Sequence, residues 1–515
     1  MTPAGIVRKL GHRARRFWQA KGAMRTRLLN IGHLLTGNLF GSLIGMLAFV
    51  VTARALGPTE YGVLALTYSY TRAVERLISF QSWQPLIKYG AELQGPEHRD
   101  DYRSLLKFGL VVDMSAAVMA YLVSIGLALL FGPLMGISDE ALQQVLIYST
   151  VLLFQINGLP TAVIRLAGRF RLVAYGTLVG SLVRLSLCTI GLMLGSDLLY
   201  FVIVWTVTQI IGALSLLFFA FMELRRQGVH SLATAPLRGV TKRFKGLVFF
   251  TVGSNVELTL RSSANELDTL LVGMLADPTA AGLYHIAKRM GRLVLQLGVQ
   301  VQAVLYPDVA RLWAQRALGE FRSTILQMEI MLLVFGLLVL TLTALFIHPL
   351  LYWTAGPKFV AAAPLAVVQM LAVAMLLSGG AVRTALLAMG RQPAILKIVL
   401  VATIAFQVTA FSVIPLIGAM GANIAHVVMA TILLSGLIIV YHRAIASETL
   451  ADTPPMPAAE GDAANEEAST GPLARNGRPD DLVPSLHDPL AREPQGRMRR
   501  AVAELPAQAL VPDKP

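Results

Sequence analysis

The chain has 515 residues, 55% hydrophobic and only 14% charged, with a formal net charge of +14. Soluble domains carry nearer a quarter charged residues, so this composition and a mean hydropathy of +0.62 exclude a water-soluble globular protein. Residues 1–447 hold 37 Lys and Arg against 18 Asp and Glu, and residues 448–515 hold 7 against 12; the basicity belongs to the apolar body, where membrane orientation accounts for it without nucleic acid.

In chain order, residues 1–30 come first. Arg8, Lys9, Arg13, Arg15, Arg16, Lys21, Arg25 and Arg27 form a basic stretch too long for a cleavable signal. With Ile6, Leu10, Phe17 and Trp18 it predicts a segment lying on an anionic lipid surface. Twelve apolar stretches follow, each long enough to cross about 30 Å of hydrocarbon at 1.5 Å per residue. They run over 34–55, 61–86, 108–131, 142–164, 172–194 and 198–222, and then over 247–275, 281–306, 324–347, 361–388, 395–417 and 422–441. The reading is an all-α polytopic membrane protein of about twelve transmembrane helices. An N-lobe over 31–223 and a C-lobe over 247–445 would be joined by a basic connector at 224–246. The Pro-, Ala- and acid-rich residues 446–515 lack apolar periodicity and predict a disordered tail.

Positive residues are retained on the cytoplasmic side. With the N-terminus inside, the inside segments hold 27 Lys and Arg and the outside connections hold two, Arg54 and Lys358. This asymmetry places both termini in the cytoplasm. The lone cysteine, Cys188, falls in an apolar stretch, allows no intramolecular disulfide and reads as a small core hydrophobe.

The second half echoes the first. Pro58-Thr59-Glu60-Tyr61-Gly62 returns as Pro278-Thr279-Ala280-Ala281-Gly282, 220 residues on, and Gly168-Arg169 returns as Gly390-Arg391, 222 residues on. Six predicted spans separate the copies, so both halves keep one orientation. Such a parallel repeat, related by an axis along the membrane normal, is a transporter architecture with substrate held between the halves.

Charges at mid-bilayer are costly and should face the bundle interior or water. Tyr68, Arg72, Glu75 and Ser79, with Arg76 beside them, form a polar stripe on span two. Glu257, Arg261, Asn265 and Asp268 do so on span seven, with Glu266 on a flanking face, and span eight carries Lys288, Arg289, Arg292, Gln296 and Gln300. The 220-residue offset maps Arg72 onto Arg292. Arg72, Arg76, Arg261 and Arg292 are the candidate cavity residues, because guanidinium forks bind phosphate oxygens. Along-helix pairs such as Arg72 with Glu75 would instead neutralise each other. Glu257, Glu266 and Asp268 are candidates to carry a proton or sodium ion. Asp113, Arg184, Glu329, Arg383 and His426 stand as lone ionisable residues in other spans.

No Walker A, Gly-x-Gly-x-x-Gly or Gly-x-Ser-x-Gly motif occurs, and the nine histidines are scattered. No catalytic residue, cofactor or metal site is expected, and the chain does not read as an enzyme.

Ala53-Arg54-Ala55-Leu56-Gly57-Pro58-Thr59-Glu60-Tyr61-Gly62 resembles the first-loop signature of polysaccharide transporters, the Wzx-type oligosaccharide flippases. Asp268-Thr269-Leu270-Leu271-Val272-Gly273 followed by Ala281-Gly282-Leu283-Tyr284 resembles the pattern of that family's seventh and eighth spans. The likeness covers about residues 30–445. It implies the multidrug/oligosaccharidyl-lipid/polysaccharide (MOP) exporter fold, with two six-helix lobes around a central cavity, in a bacterial inner membrane. It implies a flippase for undecaprenyl-diphosphate-linked oligosaccharides of lipopolysaccharide, capsule or exopolysaccharide, with the polysaccharide polymerase and chain-length machinery as partners. The alternatives are a multidrug or cation antiporter of the same superfold and a membrane glycan polymerase or ligase.

Overall fold

Lipid offers backbone groups no hydrogen-bonding partner, so chain that crosses it must satisfy itself as helix, and a computed structural model of the protein is helical in that way. It describes residues 3–451 apart from 80–81, 94, 134–137, 230, 245, 249–250 and 252–266, and describes side chains for these except 3–39, 96, 139–140, 170–175, 177, 303–304 and 448–451. No strand occurs among the described residues. Residues 452–515 of the predicted tail lie outside them, as do the side chains of the basic N-terminal segment, whereas residues 446–451, read as the start of the tail, belong to the last helix.

The N-terminal half contains α1 (Pro3–Ile78), α2 (Trp83–Gly90), α3 (Arg99–Phe131), α4 (Asp139–Ser149), α5 (Gly158–Leu166), α6 (Phe170–Leu194) and α7 (Leu198–Arg226). After the short α8 (Val240–Arg243) come α9 (Asp268–Leu275), α10 (Pro278–Ala314), α11 (Leu318–Thr354), α12 (Ala363–Ala388), α13 (Gln392–Ile417) and α14 (Ala419–Ala451). Eight helices among the described residues are long and apolar enough to cross a membrane, or nine with the bent stretch of α10. The first of these, Phe40–Ile78, takes in both of the first two predicted spans, with a break at Gly57 (φ 74, ψ 176). Leu178–Leu194 is apolar but shorter.

Large apolar side chains such as Val118 and Leu122 on α3, or Leu338 and Leu345 on α11, are exposed, as suits faces that meet acyl chains rather than water. Inside, Phe49, Tyr61, Trp205, Tyr284, Phe359 and Phe406 are buried in one cluster to which both halves contribute.

Both sequence echoes have structural counterparts. The Gly168 and Gly390 copies end α5 and α12 in the same way: each glycine is left-handed (φ 67 and 73), and the next amide returns to a carbonyl five residues back, Arg169 N to Ile164 O at 3.0 Å and Arg391 N to Leu386 O at 2.9 Å. This is the Schellman helix stop. The Pro-Thr-x-x-Gly copies touch each other. Thr59 Oγ1 lies 3.0 Å from Thr279 Oγ1. A Cβ on Gly62 would fall 1.8 Å from the Pro278 carbonyl oxygen, and one on Gly282 would fall 2.4 Å from that of Pro58. Only glycine lets the two backbones approach so closely. Beside this crossing Tyr61 Oη meets His285 Nδ1 at 2.8 Å, and Arg54 Nη1 donates to the Trp353 carbonyl at 2.6 Å. The halves are thus joined at the end that the charge count assigns to the outside.

At the opposite end, three of the basic residues counted as inside, Arg103, Lys107 and Arg243, are structural clamps. Arg103 donates to the Ser231 carbonyl, Lys107 to those of Ala233 and Ala235, and Arg243 pairs with Asp101. The connector is thereby strapped onto the start of α3.

Candidate functional site

Span four is read from sequence as one apolar run but is broken. Helix α4 tightens into a 3-10 turn over Thr150–Phe154, residues 155–157 leave helical geometry, and α5 begins at Gly158. Non-helical backbone at membrane depth is tolerated where it lines a cavity. Here Gln155 and Asn157 do so, joined side chain to side chain at 2.7 Å. Asp113 of α3 braces the restart of α5, accepting from the Leu159 amide at 2.9 Å and from Ser82 Oγ at 2.5 Å. A Cβ at Gly158 would fall 1.7 Å from that Ser82 oxygen, so the close brace depends on glycine.

Two cavities share Arg72, Gln155 and Asn157. The first, about 360 Å³, is lined mainly by polar side chains: Arg76, Arg165, Glu75, Asp113, Ser79 and Thr161, with Trp83. Arg165 stacks its guanidinium on the Trp83 ring at 4.5 Å. The second, about 310 Å³, lies between α6 and α7 and is lined by Gly176, Gly180, Gly212, Ser181, Arg184 and Phe219 among others. Nothing lies within 4 Å of a Cβ placed at Gly180 or Gly212, which leaves the space between these helices open. Arg184 is held over Trp205 (4.7 Å to the ring centre) by Thr208 Oγ1 at 2.9 Å and Gln209 Oε1 at 3.0 Å. Four arginines against two carboxylates make the joined space cationic.

Arg72 sits where the cavities meet. Its Nη1 pairs with Glu75 Oε2 at 2.7 Å, and its Nε contacts Tyr68 Oη at 3.3 Å. The along-helix pair foreseen from the spacing therefore forms, yet the Arg72 side chain keeps 29% exposure against 10% for Glu75, so the arginine still faces the open space. Arg292, its partner at the 220-residue offset, is half-buried and lines neither cavity. The charges of Arg72, Arg289 and, most weakly, Arg292 act on the Tyr68 hydroxyl. Arg289 also lies 3.4 Å above the Phe49 ring.

In the C-terminal half Asp268 is fully buried at the start of α9 and ion-paired with Lys288 of α10. Tyr284 Oη donates to its Oδ2 at 2.8 Å, and His426 Nε2 of α14 lies 3.0 Å from the same oxygen.

The structure thus brings Arg72 and Arg76 into one cavity system, leaves Arg292 out of the lining of both cavities, and gives Asp268 a buried set of partners. Arg261, Glu257 and Glu266 lie outside the described residues. Sequence reading undervalued Arg184, treated as a lone charge, and Arg165, counted with a connection. The signal for this region was present in Gln155-Ile156-Asn157-Gly158-Leu159-Pro160, a polar, Gly- and Pro-bearing interruption of an apolar span.

Among solved structures, this chain is similar to the inward-facing conformation of a MATE-family multidrug resistance transporter of the MOP superfamily (TM-score 0.64, 14% identity, 80% of this chain and 96% of that one). It is also similar to the inward closed conformation of the lipid II flippase MurJ (TM-score 0.58, 14% identity, 82% and 93%). At such identities the likeness establishes a shared fold. Among curated proteins, it is 27% identical to the inner membrane protein YghQ of Escherichia coli (strain K12) over 57% of this chain and 83% of that protein. The family model described as "Polysaccharide biosynthesis protein" matches residues 28–313, more than half of the chain. This polytopic membrane protein with the MOP transporter fold belongs to the polysaccharide biosynthesis protein family.

Proposed function

We propose that the protein is a flippase that moves an undecaprenyl-diphosphate-linked oligosaccharide, a repeat unit of lipopolysaccharide, capsule or exopolysaccharide, across the bacterial inner membrane by alternating access. The observation that carries this reading is the position of Arg72 at the junction of two cavities, with Arg76 and Arg165 in one and Arg184 in the other. A diphosphate at the junction meets guanidinium groups from both sides, which offsets its desolvation. The polar chamber, with amides, hydroxyls and an aromatic ring, suits saccharide. In this reading the glycine-lined space between α6 and α7 takes the start of the polyprenyl chain.

Family membership, the fold shared with a lipid II flippase and the sequence likeness to an inner membrane protein support the same assignment. So do the contacts closing the end assigned to the outside, because a carrier that loads from the cytoplasmic leaflet is shut at that end while it loads. In this reading residues 31–223 and 247–445 are the two rocking lobes, Arg261 and Arg292 add cations from the C-lobe, both termini are cytoplasmic, and residues 1–30 rest on anionic lipid. Transport needs no bond-making chemistry, so the protein is a carrier rather than a catalyst. A cationic-drug exporter needs acidic walls, which this lining does not provide.

Flipping of a fluorescent lipid-linked oligosaccharide in proteoliposomes tests the reading. Protein-dependent loss of inner-leaflet probe is expected. Its absence, together with a deletion strain that accumulates no lipid-linked oligosaccharide, would reject it.

A further inference from the structure

The buried Asp268 cluster does not belong to the cavity system. A lone carboxylate with no exposure, in apolar surroundings, must be matched by a cation or take a proton. Here the chain supplies the match. Lys288 Nζ pairs with Asp268 Oδ1 and lies 3.4 Å from Thr269 Oγ1, while the Thr269 amide donates to the same carboxylate oxygen at 2.6 Å. Tyr284 and His426 complete the other face and contact each other at 2.8 Å. Helices α9, α10 and α14 all contribute. Two buried oxygens, Gln369 Oε1 and Asn423 Oδ1, accept no hydrogen bond among the described residues. Asn423 is one turn from His426 on α14. Gln369 packs on Gly291, one turn from Lys288, its Cγ 3.2 Å from the position a Cβ there would take. Carboxylate and hydroxyl oxygens around one positive charge, as Asp268 and Thr269 are around Lys288, are donors that a hard cation takes.

We infer that this cage is a monovalent-cation site whose cation is the chain's own Lys288 ammonium, so that the protein needs no bound sodium in its C-terminal half. The tethered ammonium occupies the place an inorganic ion would take and cannot dissociate. Removing it leaves Asp268, Thr269 and Tyr284 as ligands, with Gln369 and Asn423 within a turn. Arg292, within Coulombic reach of Tyr284, is the group that would compete for the vacated position.

The inference is independent of what the protein carries, because its test reads binding rather than transport. Melting of the purified, detergent-solubilised protein is followed in NaCl and in choline chloride at equal ionic strength. The wild type is expected to melt alike in both, whereas Lys288→Ala should gain at least about 2–4 °C in roughly 100 mM sodium. The double variant Lys288→Met with Asp268→Asn, which lacks both charges, should fold and ignore sodium. Equal sodium stabilisation of wild type and Lys288→Ala would overturn the inference, because the lysine would not be filling the site. So would a folded, sodium-insensitive Lys288→Ala, in which a proton or Arg292 neutralises Asp268. Failure of Lys288→Ala to fold even in sodium, while the double variant folds, would overturn it too.

Discussion

Arg72 and Glu75 face each other at 2.7 Å at the point where the two cavities of the N-terminal half meet. The pair is asymmetric: the carboxylate is nearly closed off and the guanidinium is not. Glu75 therefore holds Arg72 in place and leaves its remaining N–H groups for an anion. Arg72→Ala is expected to cut flipping at least about tenfold, the order of one lost charge-assisted contact. Because that change also strands Glu75, the double variant Arg72→Gln with Glu75→Gln is the cleaner measurement. Normal flipping by this double variant at normal expression would remove Arg72 from the site.

Arg184 reaches the second cavity from α6 and is oriented by Thr208, Gln209 and the Trp205 ring. Arg184→Lys retains the charge but not the planar fork that these partners hold. The expectation is reduced flipping in Arg184→Lys and a larger loss in Arg184→Ala. Equal rates for both variants and wild type, measured in proteoliposomes, would assign Arg184 to packing alone.

The Thr59–Thr279 contact joins the halves at one end. In a Cys188→Ala background, the Thr59→Cys/Thr279→Cys double variant should form a disulfide under mild oxidant, because two side chains already in contact need little adjustment to reach disulfide geometry. Flipping should stop on oxidation and return on reduction. Full transport by fully cross-linked protein would show that this junction does not open during the cycle.

Gly62 and Gly282 permit the crossing itself. Gly62→Val should destabilise the closed junction by about 1–3 kcal/mol, the usual cost of overpacking. A cysteine at position 59 in that background should react faster with a membrane-impermeant maleimide than the same cysteine beside Gly62. An unchanged labelling rate would mean that the backbones are not this close.

Asp113 supports the break in span four by accepting from the Leu159 amide and from Ser82. Asp113→Ala removes both acceptors and should lower stability by about 1–3 kcal/mol, seen as lower melting temperature and expression. Asp113→Asn keeps one acceptor oxygen and should fall between the two. If both variants melt like the wild type, the brace is not structural.

Much of this was legible in the chain. Apolar length read out the helical class, with eight or nine helices of crossing length among the described residues against about twelve expected, and the Gly168/Gly390 and Pro-Thr-x-x-Gly echoes have structural counterparts because helix stops and close crossings demand particular residues. The i to i+3 spacing of Arg72 and Glu75 announced their pairing. The location of the cavities was not legible. Their lining is drawn from six helices within one half and from the break in span four, and periodicity along a single helix says nothing about which neighbouring helix stands opposite. The partners of Asp268 were hidden for the same reason: Lys288 and His426 lie 20 and 158 residues away and meet it only through packing.

The crossing of Gly62 over Gly282 also bears on how the two copies of this repeat can age. After a duplication, paralogous segments ordinarily drift apart, each accepting its own substitutions. Here a side chain gained by either copy lands on the backbone of the other, so neither glycine is released by the presence of its duplicate. Substitution should therefore be tolerated around these two glycines before it is tolerated at either of them.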